Sequence, residues 1–369
     1  MINNKALKLL RSALWNKPCD ANLQADDWKM IVPFAHAQTL DGIMPDALQQ
    51  LPKVQYPPMP LKMKMISRML QVEINNKKMN EELVSFVQRL EKCNIPYVLL
   101  KGQGVASYYP SPLHRMPGDI DLYIPLQYFA QANECMLAYG GEIKDESRHH
   151  VDYVARGVIW ELHHCILYFQ SDKRNKQFMK LVENALKQTP NYVMIDGERI
   201  RVLPPVINVV MLLAHILDHF LCQGIGLRQL CDYALVLDGV SEQIDVKVLK
   251  QTLTQLSLIR AYRVFGQLCV DYLGLSSGKI MIDTTESDKR MAKIVMEDCI
   301  RGGNFGNEDH KGRKNLATSI SYYNRFFTRL IKFGSVCPSE SVLWPMQKFY
   351  RFITGKVHID EKNSILKTN

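Results

Sequence analysis

Nine cysteines occur in the chain, an odd number, and none forms a C-x-x-C pair. That argues against a disulfide framework and points to reduced, mostly buried thiols in a cytoplasmic protein. No G-x-x-x-x-G-K-[ST] loop occurs, which argues against a P-loop enzyme, and no His-Glu-x-x-His, which argues against a zinc protease helix. Lysine and arginine form no block resembling a nucleic-acid arm, and no repeat of fixed period or low-complexity tract interrupts the chain. The first residues, Met1-Ile2-Asn3-Asn4-Lys5, lack the apolar block of a signal peptide. The most apolar stretch, Val206 to Cys222, carries Asn208, His215, Asp218 and His219. It reads as too polar and slightly too short to span a bilayer, so a buried helix and no membrane partner are expected.

What is present is an ordinary globular composition on a basic background. The chain has 369 residues, 47% hydrophobic and 22% charged, enough for two or three domains or for one core with helical additions. The net charge of +9 favours anionic partners such as nucleotides, nucleic acid or phosphorylated metabolites, the bland alternative being a soluble basic protein.

Three zones follow from periodicity. Residues 1–93 read as a helical region: Leu7, Leu9, Leu10 and Leu14 share one apolar face, prolines at 52, 57, 58 and 60 mark a connector, and a long polar helix spans about 62–92. Residues 94–203 read as a small α/β core. Pro96–Leu100 is a short apolar strand, Asp119–Ile124 an alternating strand, and 126–139 a helix closed by Gly140-Gly141. His150–Val154 and Val158–His163 flank Ala155-Arg156-Gly157 as a β-hairpin. Residues 204–369 read as a helical domain, with helices over 206–222, 227–239, 245–272, 284–300, 312–333 and 340–354. The expected fold class is α+β: a small mixed sheet flanked by N-terminal and C-terminal helical regions.

The chemistry concentrates at Gly118-Asp119-Ile120-Asp121-Leu122. On a strand, alternate side chains share a face, so Asp119 and Asp121 point the same way and Ile120 and Leu122 point into the core. Carboxylates that close repel unless a cation sits between them, and Mg²⁺ is a hard cation held by one or two carboxylates plus substrate phosphates. Glu161 is the third candidate, sharing a face with His163 while Trp160 and Leu162 take the other. A solvated Asp-x-Asp strand or turn is the bland reading of the same residues. Upstream, Lys101-Gly102-Gln103-Gly104 follows the first strand and opens a short helix; glycine lets backbone N–H groups approach phosphate closely, and Lys101 and Arg115 add positive charge. Gly102-x-Gly104-x-x-Ser107 lacks the third glycine of a dinucleotide fingerprint. His215 and His219 lie four apart on one helix face and read as buried, hydrogen-bonded residues or, alternatively, as a zinc pair. Of His149, His150, His163 and His164, only His163 is expected to face the site. The aromatics Tyr322-Tyr323 and Phe326-Phe327 read as core.

Taken together, Leu100-Lys101-Gly102, Tyr109-Pro110, Arg115, Asp119-Ile120-Asp121-Leu122 and Glu161-Leu162-His163 resemble the uncharacterised bacterial nucleotidyltransferase family of the polymerase-β-type superfamily. The likeness continues through His215, His219, Leu227-Arg228, Asp232 and Gly303-Asn304-Phe305-Gly306, covering roughly residues 5–350. It implies that Asp119, Asp121 and a third carboxylate, here Glu161, bind Mg²⁺ that carries a nucleoside triphosphate. It also implies that Lys101, Gly102, Gln103, Arg115 and His163 surround the nucleotide. The superfamily usually has Gly-Gly or Gly-Ser after the first strand, whereas Gly102 is followed by Gln103, and the spacing from Gly102 to Asp119 is long. The expected activity is nucleotidyl transfer to an acceptor the sequence does not identify; the alternative is a catalytically silent nucleotide- or partner-binding module on the same fold.

Overall fold

The computed structural model describes residues 4–147, 149–167, 169, 171–188, 190–304 and 327–343. In chain order the helices are α1 (Asn4–Trp15), α2 (Trp28–Ala37), α3 (Met59–Lys92), α4 (Gln103–Ala106), α5 (Leu126–Ala138), α6 (Asp172–Leu186), α7 (Pro205–Cys222), α8 (Leu227–Val240), α9 (Val246–Gln255), α10 (Ile259–Leu268) and α11 (Glu286–Gly302). The strands are β1 (Val98–Leu99), β2 (Ile120–Tyr123), β3 (Glu142–Glu146), β4 (His150–Ala155), β5 (Val158–His163), β6 (Asn191–Ile195) and β7 (Glu198–Val202). The fold is α+β, a mixed sheet flanked by helices. The described residues group into two compact units. One falls within Met1–Asn75, Tyr108–Met116 and Leu212–Pro338, the other within Asn76–Ser107, Pro117–Met211 and Ser339–Asn369.

The second unit is built on a seven-stranded sheet in the order β3-β4-β5-β2-β1-β7-β6. β2 runs parallel to β5 and β1 parallel to β7; the remaining neighbours are antiparallel. The alternation in β2 and β5 sends Ile120, Leu122, Trp160 and Leu162 to one face. There they join Leu83, Phe86, Val87 and Leu90 of α3 and Phe129, Ala132 and Met136 of α5 in one buried cluster. Trp160 meets Phe86 edge-on at 5.1 Å between ring centroids, a favourable aromatic geometry. Two hairpins of the sheet turn on residue pairs with positive φ: Arg156 (52°) and Gly157 (75°) between β4 and β5, and Asp196 (48°) and Gly197 (85°) between β6 and β7. Such two-residue turns match the twist of the flanking strands and fix their register. The β4–β5 hairpin lies where the sequence indicates, and the β6–β7 hairpin adds an Asp-Gly turn that was not anticipated.

The first unit is helical. The apolar face expected near the N-terminus is present, with Leu7, Leu9, Leu10 and Leu14 all buried on α1. The single helix expected over 245–272 is instead two, α9 and α10. Ser257 takes φ 59°, which no α-helix can pass through, and Leu258 N–H donates to Leu253 O at 2.8 Å to close α9. The break lets Leu256 and Leu258 on either side be fully buried. Among the residues expected to be helical, 312–326 and 344–354 lie outside the described residues, as do Tyr322, Tyr323, Phe326, Phe305 and Gly306. The apolar stretch at α7 corrects one expectation. Its 18 residues are long and apolar enough to cross a membrane by length and composition, as core helices of soluble proteins also can be, and 67% of it is buried in the structure.

A charged triad ties the first unit together. His114 Nδ1 lies 2.7 Å from Asp46 Oδ1 and its Nε2 lies 2.9 Å from Glu73 Oε1. With a carboxylate on each ring nitrogen, the imidazolium form is the one that satisfies both contacts, and the bond to Asp46 is the main reason the His114 pKa rises. A folded pKa above the ordinary 6.5 means this stability is full below about pH 6 and fades as pH rises through the folded value. His114→Gln should therefore destabilise by about 1–3 kcal/mol in acid and by less at pH 9, read as urea midpoints across that range. A difference that stays constant with pH would mean the ring is neutral.

Candidate functional site

Every element of the site belongs to the second unit. Its frame is the pairing of three strands, in which Asp121 lies beside Glu161 across the parallel β2–β5 pair, and Glu161 lies beside Asp152 across the antiparallel β4–β5 pair. Two pairs further on, His163 faces His150. Period-two alternation therefore collects Asp121, Glu161, His163, Asp152 and His150 on the face opposite the Trp160 cluster. Asp119 sits half-buried one residue before β2, in phase with Asp121.

The approach to this face is set by the turn after β1. Leu100 N–H donates to Asp121 O at 3.0 Å, extending the β1–β2 pairing and bringing Lys101 over the carboxylates. Gly102 follows with φ +52°, and a Cβ there would lie 3.1 Å from Asp119 O. Both facts require glycine: an L side chain would be strained by the dihedral and crowded against the strand. Gln103, expected at the nucleotide, instead donates its amide to Asn76 Oδ1 and Asn80 Oδ1 of α3 at 3.1 and 2.9 Å.

Electrostatics at the centre are dominated by burial offset by close opposite charge. Asp121 is fully buried. Burial pushes its pKa up, but the Lys101 ammonium 2.7 Å from its Oδ1 and His163 3.0 Å from the same oxygen hold it well below the ordinary value. Burial likewise opposes the charge on Lys101, and the carboxylates of Asp121, Asp119 and Glu161 outweigh it and raise its pKa. Glu161 goes the other way. Desolvation and the neighbouring Asp121 and Asp119 charges push it to about 7, against the lowering effect of its bond from His163. His163 is buried and loses charge on that account, yet its contacts to Asp121 and Glu161 raise its pKa. The site thus holds one firmly ionised carboxylate, one poised to take or release a proton near neutrality, and a fixed ammonium. Burial, then the positive charge of His163, keeps His149 and His150 neutral, each with a pKa of about 3. Four buried atoms on this face have no hydrogen-bond partner: Asp121 Oδ2, His163 Nδ1, His150 Nδ1 and Asp152 Oδ1. Asp121, Glu161 and His163 offer ligand atoms within 4.8 Å of one another.

The sequence profile of a family described as uncharacterised nucleotidyltransferase matches residues 24–274, more than half of the chain. The chain belongs to that family. The matched stretch contains the whole strand frame and its acidic residues. No curated protein matches the chain. Among solved structures it is similar to the antibiotic-resistance factor ANT(2'')-Ia, at 13% identity and a TM-score of 0.37, covering 48% of this chain and 92% of that one. It is also similar to an antigenic nucleotidyltransferase-like protein from Paracoccidioides brasiliensis, at 14% identity and a TM-score of 0.35, covering 58% and 97%.

Of the residues expected at the site, the structure brings Lys101, Gly102, Asp121, Glu161 and His163 together, with Asp119 beside them. Gln103 turns to α3. Arg115 falls in the first unit, where its Nε and Nη2 donate to Asp232 Oδ1 and Oδ2 at 2.8 and 2.9 Å and Tyr109 OH donates to the same carboxylate at 2.7 Å. Its side chain is 5% exposed. The expectation that His163 alone among the neighbouring histidines faces the site is corrected by His150, its direct cross-strand partner. The two-residue turn at Arg156-Gly157 fixes that pairing: once Ala155 opposes Val158, His150 must oppose His163. Breaking a buried ion pair from one side leaves an uncompensated charge, so Arg115→Ala should lower unfolding free energy by about 3–5 kcal/mol. Chemical denaturation checks this, and a loss under 1 kcal/mol would show the guanidinium to be dispensable for stability.

Proposed function

We propose that the chain transfers a nucleotidyl group from a nucleoside triphosphate to an acceptor, using Mg²⁺ held by Asp119, Asp121 and Glu161. The observation that carries this is the acidic array across β2 and β5, with Asp121 Oδ2 buried and without a hydrogen-bond partner. A set of hard carboxylate oxygens around such an atom fits a hard divalent cation. Mg²⁺ bound there would neutralise charge on the phosphate oxygens. Family membership supports a nucleotide substrate and a transferase.

In the reaction the acceptor oxygen bonds to the α-phosphorus, the bond from that phosphorus to the β-phosphate oxygen breaks, and pyrophosphate leaves. Glu161, beside Asp121 across the β2–β5 pair, would help to deprotonate the acceptor oxygen from its place at the metal. Lys101 carries a fixed positive charge on the turn that leads to β2 and is placed to meet phosphate oxygens that arrive beside Asp121. His163 bridges Asp121 and Glu161 through Nε2 and holds both carboxylates in position. Gly102 keeps the turn tight against Asp119. Most of the rate enhancement would come from positioning and charge.

Thermal melts with Mg²⁺ and each common nucleoside triphosphate, followed by a pyrophosphate-release screen over acceptors, test the proposal. Asp121→Asn should keep the fold and lose the ligand-induced shift; a variant that keeps the wild-type shift sinks the metal assignment. Glu161→Gln should lower turnover by about 10²–10⁴-fold, the ordinary worth of a general base, with a smaller change in nucleotide affinity. Tight triphosphate binding with no pyrophosphate released for any acceptor would favour a silent binding module instead.

A further inference from the structure

Beside the carboxylates lies a second cluster of different chemistry. His149, His150 and His163 offer ligand atoms within 4.8 Å of one another. Their ring centroids are 4.3 Å apart for His149–His150, 4.9 Å for His150–His163 and 5.8 Å for His149–His163. The backbone under them is held firmly. His150 and His163 are cross-strand partners, and His149 O accepts from His164 N–H at 3.0 Å and Cys165 N–H at 3.2 Å. Ser147 Oγ accepts from the N–H groups of His149 and His150 at 3.3 and 3.1 Å. These bonds explain why consecutive histidines share a site: His149 precedes the strand and escapes its alternation.

The ring nitrogens carry the argument. His163 is 4% exposed; its Nε2 is held by Asp121 and Glu161, and its Nδ1 is buried with no hydrogen-bond partner. His150 also has a buried Nδ1 without a hydrogen-bond partner, 4.0 Å from Glu161 Oε2, and its Nε2 lies 2.9 Å from Asp152 Oδ1, close enough for charge attraction but outside hydrogen-bond geometry. A histidine with one nitrogen on a carboxylate and the other left open is the arrangement of a metal ligand, the carboxylate fixing tautomer and orientation. A buried imidazole nitrogen with nothing to bond is otherwise a cost.

We propose that His149, His150 and His163 form an imidazole-lined site for a borderline transition-metal ion of the zinc class, distinct in donor chemistry from the carboxylate site it adjoins. Nitrogen ligands select zinc, cobalt or nickel over magnesium. Ligand nitrogens about 2.0–2.1 Å from zinc lie roughly 3.4 Å apart in a tetrahedron, a separation that small side-chain rotations reach from this geometry. With three protein ligands, the fourth position stays open to water or substrate. His163 would belong to both sites, through Nδ1 here and through Nε2 to Asp121 and Glu161 there.

Metal uptake at the histidines needs no nucleotide, so it is measured separately from nucleotidyl transfer. Metal-stripped full-length protein is titrated with Co²⁺ alone and, in competition with a chelator, with Zn²⁺ alone. Wild type should take up one cobalt with the visible bands of a tetrahedral nitrogen-ligated ion and no thiolate charge-transfer band. A thiolate band as the sole signature would place the metal on the cysteines and overturn the proposal without recourse to variants. His149→Gln combined with His150→Gln should abolish that equivalent, read with the metal alone and no nucleotide present. Asp152→Asn should weaken cobalt about 10–100-fold, as loss of an orienting partner does. His219→Gln serves as control for the other histidine pair, His215 and His219, whose rings are 4.4 Å apart on α7. A folded double variant that keeps the wild-type spectrum, or a His219→Gln variant that loses it, overturns the assignment.

Discussion

Asp121 and Glu161 stand side by side on neighbouring strands, Asp121 fully buried and Glu161 partly so, where water screens them poorly. Two carboxylates so placed cannot both be ionised unless a cation stands between or beside them. In this structure Lys101 and His163 meet that requirement for Asp121, and Glu161 answers it by holding its proton more tightly. The rest of the second unit is arranged so that the pair is held there: a hydrophobic face behind it, a tight glycine turn beside it and a hairpin that fixes its register. An arrangement that stores carboxylate repulsion is one in which a divalent cation would bind strongly, because binding relieves a cost already built into the fold.

Register is the second constraint, and it follows from burial. Trp160 and Leu162 fill the core beneath α3 and α5. A slip by one residue would send them to the other face and drive Glu161 and His163 into that core, unpaired, at several kcal/mol each. The apolar residues therefore select the geometry of the polar ones. The turn at Arg156-Gly157 reinforces the same choice from the far end of the hairpin, since positive φ at both positions admits a single two-residue loop.

That dependence explains what could be read from the sequence. Asp119-Ile120-Asp121-Leu122 and Trp160-Glu161-Leu162-His163 alternate cleanly, so the facing of the candidate carboxylates and of their hydrophobic partners was legible. The hairpin was legible as well, yet the pairing of His150 with His163 required counting back from the turn. The second hairpin carries an Asp-Gly turn at 196–197 that signals itself locally, but its strands, Asn191–Ile195 and Glu198–Val202, are only five residues each and bury few of their side chains, so the apolar signal is weak. Arg115 was not legible at all. Its partner Asp232 lies 117 residues away, and no local pattern distinguishes a guanidinium that waits for phosphate from one already paired with a carboxylate in a core. The division of α9 from α10 was hidden for a related reason, because the apolar period continues through Ser257 and only the burial of leucines on both sides turns the chain.

His163 is where these threads meet. It lies in register with Tyr123 of β2 and His150 of β4, and its two nitrogens face different chemistry: one touches two carboxylates, the other has no hydrogen-bond partner. A neutral imidazole donates from one nitrogen and accepts at the other. With Nε2 given to the carboxylates, a neutral ring leaves Nδ1 as a lone pair in a dry place, and the protonated ring that those carboxylates favour leaves an N–H there with no acceptor. Protonation would fill Nδ1 but would bury a hydrogen with nothing to accept it. A metal ion at Nδ1 resolves that conflict, whereas a proton only moves it from one form of the ring to the other. It would also add positive charge behind Asp121 and Glu161, strengthening the hold of the ring on both. Through this one side chain, the charge of an imidazole-held metal would be felt at the carboxylates that face the nucleotide.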